Sequence, residues 1–309
     1  MLSFYYKISL VLFATLCSSQ AFAKDLATLN PQAPPGLNFD LLDWNLSLPL
    51  DTNEDKKVDI IPEAFLAKGF QLKPYFYTAE DGGMVFTAFV KGPKTSKNTK
   101  YTRSELREML RRGNTRIKPQ GVNENNWVFS TVRGKEQRKA GGVDGRLEAT
   151  LAVNNVTVTG DPKQLGRVIV GQIHAKDDEP ARIYYRKLPN NTKGSIYLAH
   201  EPRGGDDQYY EFVGSRSSNA KDPEDGIALD EKFSYIIDVQ GDILTVTLSR
   251  EGKADITHVV DMQDSGYHKR DQYMYFKAGV YNQNSTGVPE DYAQATFYRL
   301  VNTHKGYEH

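Results

Sequence analysis

Apolar and polar residues alternate over short runs along most of this chain, the period-two signature of half-buried β-strands. In residues 44–50, Trp44, Leu46, Leu48 and Leu50 fall on one side, and Pro49 places the run at a sheet edge or a strand end. Runs 70–77 and 84–90 predict two strands separated by the Asp81-Gly82-Gly83 turn. Runs 127–132, 146–153, 156–159, 168–174, 181–186, 195–200 and 208–213 continue the rhythm. Runs 232–239 and 243–248 predict a hairpin across Gln240-Gly241-Asp242, and 275–283 and 294–300 close the chain. One short helix is predicted over 60–68, started near Pro62. Many short strands between turn signals, with almost no helix, predict an all-β sandwich of jelly-roll type. Residues 101–110 read two ways. Glu105/Met109 and Arg107/Arg111 have helical i,i+4 spacing, whereas a strand would put Arg103, Glu105 and Arg107 on one face.

Run 273–283 organises the rest. Read as a strand, it turns Met274, Phe276, Ala278 and Val280 toward a core. The other face carries Tyr273, Tyr275, Lys277, Gly279, Tyr281 and Gln283. Phenols aligned with an amine and an amide look like the floor of a polar groove. In run 168–174, Gln172 and His174 are expected to share a face with Val170, opposite Ile169, Gly171 and Ile173.

Charge narrows the partners. With 39 basic and 39 acidic residues, nothing points to nucleic acid or to an anionic membrane surface. The 18 tyrosines against 2 tryptophans favour sugar binding, because a phenol ring stacks on a pyranose while its hydroxyl hydrogen-bonds. Residues 1–23 read as a signal peptide: Lys7, an apolar run over 8–17 too short to span a bilayer, and an Ala21-Phe22-Ala23 cleavage site. The single cysteine, Cys17, falls inside it, and Leu16 before it does not suit a lipoprotein site. The mature chain then lacks thiol chemistry and disulfides. A polar, proline-rich lead-in over 24–37 precedes one domain over 38–309, expected to be a secreted or periplasmic monomer.

Three constellations carry chemistry. Arg103-x-Glu105-x-Arg107 is either a solvated charged face or a wall that binds carboxylates through guanidinium forks. Gln172-x-His174 is either structural or catalytic. A metal held by His174, Asp177 and Asp178 lacks a second histidine at ligand spacing, so none is expected. The tyrosine and lysine row alone also suits a lectin.

Arg103-Ser104-Glu105-Leu106-Arg107, Gln172-Ile173-His174 and Tyr275-Phe276-Lys277-Ala278-Gly279-Val280-Tyr281-Asn282-Gln283 resemble, in order and separation, the three signature motifs of the alginate lyases of polysaccharide lyase family seven. Supporting similarity runs from Trp44 through the last strand. The resemblance implies a β-jelly roll of two antiparallel sheets with a substrate groove on the concave face, which makes 103–107 a strand. It implies cleavage of an anionic polysaccharide, alginate, by β-elimination without a cofactor. It assigns Arg103 and Gln172 to neutralising the substrate carboxylate, and His174 and Tyr281 to base and acid. Glu105, Arg107, Tyr275, Lys277 and Gln283 share faces with these residues and are expected to bind substrate. Isoleucine at position 173 is associated in the family with guluronate-containing blocks. A non-catalytic alginate-binding jelly roll is the alternative, but it has no need of both His174 and Tyr281.

Overall fold

The computed structural model describes residues 29–308, so the signal-peptide reading of 1–23, with Cys17, lies outside the described residues. In chain order the strands are β1 Trp44–Leu48, β2 Asp59–Ile61, β3 Phe76–Thr78, β4 Met84–Phe89, β5 Arg103–Glu108 and β6 Trp127–Val128. Next come β7 Gly142–Asn155, β8 Arg167–His174, β9 Ala181–Arg186, β10 Lys193–His200, β11 Gln208–Val213 and β12 Ile227–Ala228. The last are β13 Phe233–Gln240, β14 Ile243–Ser249, β15 Ile256–Asp261, β16 Tyr275–Asn282 and β17 Tyr292–Lys305. One sheet runs β11-β10-β9-β8-β16-β5-β1-β2, with β12 alongside β10. The other runs β15-β14-β13-β7-β17-β4-β3, with β6 alongside β7. Two packed antiparallel sheets with long crossovers are the jelly roll that the strand rhythm predicts. No helix among the described residues is long and apolar enough to cross a membrane.

The apolar half of each alternating run forms the core between the sheets. Phe233, Tyr235, Ile237 and Val239 of β13 face inward with Leu244, Val246 and Leu248 of β14. Leu106, Ile173, Phe276, Ala278 and Val280 meet them from the other sheet. Trp127 fills one end, its ring 5.1 Å from that of Phe276. Ser104, Leu106 and Glu108 of β5 face this core. Glu108 is fully buried there and is satisfied by Phe276 N–H (3.0 Å), Asn302 Nδ2 (2.7 Å) and His304 Nε2 (2.8 Å).

Residues 103–108 form a strand despite their helix-forming composition. β5 lies between β1 and β16 and is paired on both sides, so tertiary pairing overrides intrinsic propensity. Other boundaries differ from expectation. Residues 60–68 divide into β2 and a helix over Glu63–Ala67, separated by Pro62. β15 has weak alternation and goes unpredicted, and β17 extends beyond the expected run at both ends.

Two irregularities set the phase of the groove-side residues. The β8–β9 register shifts between Ile169 and Gly171. Consequently Val170 belongs to the core with Ile173, while Ile169 packs with Tyr184, Tyr197 and Tyr281 on the opposite face. The expectation that Val170 shares a face with Gln172 and His174 is corrected: the bulge breaks strict alternation. Position 171 must be glycine because Tyr235, from the other sheet, occupies the place of a Cβ and donates its hydroxyl to the Val170 carbonyl at 3.1 Å. The β16–β8 register shifts between Ala278 and Tyr281 around Gly279. Gly279 has φ 136°, and a Cβ there would meet the Ser104 carbonyl oxygen at 2.7 Å. Tyr273 lies ahead of β16, its hydroxyl bonded to Gln120.

Candidate active site

Antiparallel register assembles the outer face of the first sheet. Lys277 stands opposite Arg107 on one side and Gln172 on the other. Tyr281 stands opposite Arg103, Gly279 opposite Glu105, and Tyr275 opposite His174. Three segments far apart in sequence thus meet on adjacent strands.

Glu105 is the hub. It is 1% exposed, a position a lone carboxylate does not tolerate, and its partners surround it. Arg103 Nη1 donates to Oε2 at 3.0 Å, Lys277 Nζ pairs with the same oxygen, and Gln172 Nε2 donates to Oε1. Burial raises the Glu105 pKa, but Lys277 and Arg103 outweigh it and hold the carboxylate ionised below its ordinary value. Burial and the neighbouring Arg103 bring the Lys277 ammonium down to about 8, against the pull of Glu105. The Arg103 guanidinium also lies 3.6 Å from the centre of the Tyr281 ring. One of its N–H groups is used by Glu105, and the buried Nε has no protein partner.

His174 and Tyr281 are the members of this cluster that reach solvent; Arg103, Glu105, Gln172, Tyr275 and Lys277 are buried. His174 stacks on Tyr275, ring centres 5.0 Å apart and 10° from parallel. Its Nδ1 lies 2.6 Å from the Ala175 carbonyl oxygen. A carbonyl only accepts, so Nδ1 carries the proton and Nε2 presents the lone pair. Glu179 Oε1 is 3.2 Å from Nε2. Burial lowers the His174 pKa to about 4, with Lys277 and Arg103 assisting and Glu179 opposing, so the ring is neutral near neutral pH. Burial raises the Tyr281 pKa, partly offset by Arg103, so its phenol is protonated there.

The remaining expected residues are placed differently. Arg107 lies 3.9 Å over the Tyr275 ring. Its guanidinium donates to the carbonyls of Glu108 (2.9 Å) and Pro119 (2.6 Å) and to Asn126 Oδ1 (3.0 Å). It fastens the 119–126 loop behind Tyr275 through Nη2, while its buried Nε has no protein partner. Gln283 lies just beyond β16, buried, with its amide nitrogen unpartnered. The acidic loop after His174 supplies Glu179, whose neighbour Arg182 also pairs with Glu201 at 3.2 Å and with Asp207. Among the described residues no group of three or more His, Cys, Asp or Glu side chains is placed to hold a metal.

Sequence reasoning passed over Arg182, Tyr184 and Arg186, although β9 alternates them onto one face. Tyr101 was also passed over. Its ring meets Tyr281 edge-on at 6.1 Å, and its hydroxyl receives an Arg167 N–H at 3.4 Å.

Comparison with known proteins bears on what this site does. The family model described as "Alginate lyase" matches residues 39–304. An alginate lyase of Klebsiella pneumoniae is 58% identical over 279 residues, covering 87% of this chain and 91% of that protein. A crystal structure of an alginate lyase from Klebsiella pneumoniae superposes with a TM-score of 0.87 at 57% identity, over 89% of this chain and 100% of that one. Alginate lyase A1-II′, a member of polysaccharide lyase family seven, superposes at a TM-score of 0.64 and 26% identity, over 88% of this chain and 99% of that one. A variant of A1-II′ was crystallised in complex with the substrate GGMG.

Proposed function

The chain belongs to the alginate lyases of polysaccharide lyase family seven, and from that premise we propose that it cuts the 1,4 glycosidic bonds of alginate by β-elimination. The observation that carries the mechanism is the division of the site into a buried wall, in which Arg103, Lys277 and Gln172 are held around Glu105, and two part-exposed groups, one a neutral imidazole and the other a protonated phenol.

The chemistry follows from the substrate. The C5 proton of a uronate is hard to remove, because the adjacent carboxylate is already negative and elimination pushes more charge toward it. Arg103 and Gln172 offer that carboxylate a guanidinium and an amide held in place by Glu105. Donors fixed in advance stabilise the enolate-like transition state without having to reorganise. His174 Nε2 takes the C5 proton. The C5–H electron pair becomes the C4=C5 double bond, the C4–O bond breaks, and the departing oxygen receives the Tyr281 proton. Glu179, beside Nε2, favours the imidazolium so formed. Lys277 keeps Glu105 ionised, so Arg103 stays oriented. For the epimer that presents its C5 proton to the opposite face, Tyr281 takes both roles.

Ile173 supports action on guluronate-containing blocks. It is fully buried between the sheets, so its influence passes through the position of β8. Export and removal of residues 1–23 complete the reading, and N-terminal sequencing of protein recovered outside the cytoplasm is expected to begin at Lys24.

Ultraviolet absorbance over time on polyguluronate, polymannuronate and mixed alginate tests the mechanism, because the conjugated double bond absorbs. Absorbance is expected to rise, fastest on polyguluronate, to be lost on every substrate in Tyr281→Phe, and to be lost in His174→Ala for the epimer whose C5 proton His174 takes. New reducing ends without absorbance would overturn elimination.

A further inference from the structure

A polar cavity of about 520 Å³ opens on the same face as the candidate active site, toward β9, β10 and β11. Its floor is Tyr184 stacked on Tyr197, ring centres 4.7 Å apart and 7° from parallel, with Tyr209 at 6.2 Å. Its walls carry Arg167, Arg186, Arg216 and Lys163.

The charges in this cavity are not balanced from within. Arg186 is 5% exposed, and its guanidinium donates only to carbonyls: Leu165 at 3.3 Å, Pro162 at 2.8 Å and Arg216 at 2.5 Å. No carboxylate among the described residues pairs with it. Burial, with Arg167 and Arg216 nearby and Tyr197 opposing, pulls its pKa below the ordinary value. Arg167 keeps a buried Nε without a partner. Arg216 spends its face on the Tyr209 ring at 3.9 Å. The lining carboxylate, Glu211, accepts from Ser215 Oγ (3.0 Å) and the Arg216 backbone N–H (2.7 Å) rather than from a guanidinium. A buried cation without counter-charge, with further cations beside it, favours an anion. Broad phenol faces favour a ring-shaped one with apolar surface.

The cavity adjoins the reacting centre through residues that line it. Tyr281 packs on the Ile169, Tyr184 and Tyr197 cluster, and Arg167 reaches Tyr101 beside Tyr281. A polymer lying across Tyr281 runs into it.

We propose that this cavity binds the carboxylate and ring of a uronate other than the one undergoing elimination, and so sets where along the chain the cut falls. The inference rests on the elimination reading above and names a second contact for the same polymer. Guanidiniums at the wall take the carboxylate through charge-assisted hydrogen bonds, and the tyrosine floor takes the sugar face.

The test uses two changes at exposed positions, Arg216→Ala and Ser218→Asp, the second placing a carboxylate at the cavity rim. Binding of saturated oligoguluronate is measured by calorimetry in a Tyr281→Phe background, where turnover is suppressed. Each change is expected to weaken binding about tenfold, as loss or repulsion of one charge-assisted contact would. In the otherwise unaltered enzyme, KM on polyguluronate rises by a similar factor and the product-length distribution, read by mass spectrometry, shifts. Affinity and product lengths both within about twofold of the parent in both variants overturn the subsite. The two readings fail separately: weakened binding in an enzyme that never produces absorbance leaves the subsite standing and sinks the elimination, whereas absorbance with unchanged affinity and products does the reverse.

Discussion

The two ends of the groove face treat positive charge in opposite ways. At the β5–β16–β8 centre, Glu105 gathers Arg103, Lys277 and Gln172, so two cations share one carboxylate and the donors are held in place before a ligand arrives. At the β9–β11 end, Arg186 is as buried as Lys277, yet only carbonyls answer it. A centre that stabilises a short-lived distribution of charge needs donors that do not move. A place that holds one sugar needs an attraction left unspent. The lesson is that a buried carboxylate beside cations marks orientation, whereas a buried cation without one marks affinity.

Several experiments would break or sharpen this contrast. The largest effect belongs to Tyr281→Phe, which removes the proton donor and leaves the ring over Arg103. Absorbance assays are expected to show a rate loss of about 10³-fold with substrate affinity nearly intact. Next is Glu105→Gln, which takes the counter-charge from two buried cations. It is expected to lower stability by about 3 kcal/mol in denaturant unfolding and activity by about a hundredfold. Equal loss of stability in Arg216→Ala would erase the distinction between the two ends.

Titration gives an intermediate effect. Activity is expected to fall on the acid side as His174 protonates near 4 and on the alkaline side as Lys277 loses its proton near 8. Lys277→Arg, which does not titrate there, is expected to remove the alkaline limb from the pH–rate profile. Because His174 is depressed in the folded state, protonation favours unfolding. Its contribution to stability is present above the ordinary histidine range and is lost as pH falls from there toward about 4, which acid unfolding curves would show.

Salt is expected to act more weakly and at one end. Raising ionic strength from about 0.05 to about 0.5 M should increase KM on long substrates about fivefold, and by less in Arg216→Ala, since exposed charges are screened more than buried ones. Smallest is Ile173→Val. It removes one buried methylene and is expected to lower stability by about 1 kcal/mol in thermal unfolding. The ratio of rates on polyguluronate and polymannuronate should change by no more than about threefold, because the side chain reaches the groove only through strand position.

Much of the fold is legible in the alternation alone. The β13–β14 hairpin falls where Gln240-Gly241-Asp242 predicts it, because each strand buries one face and the pattern is clean. β5 is different. Its charges hide the alternation, since Arg103 and Glu105 are buried against each other and Arg107 against Tyr275 of β16 rather than solvated. The phase of β8 is not legible, because the Val170 bulge depends on Tyr235 reaching across from another strand, a long-range contact that leaves no local mark. The reacting centre came from short motifs within single strands. The outer cavity did not, since its cations come from β8, β9 and two loops and converge only in the fold.

The place of β8, β16 and β5 within their sheet has a further consequence. Each is hydrogen-bonded to a neighbour on both sides, and the sheet continues to β11 one way and β2 the other. Fraying begins at edges, where backbone amides open to solvent at little cost, and interior amides exchange their hydrogens only when the whole unit opens. The backbone beneath Arg103, Gln172, His174 and Tyr281 therefore exchanges on the timescale of global opening, while β11 exchanges sooner. Heating the enzyme thus leaves its centre formed until the sandwich itself gives way, and the two losses arrive as one event.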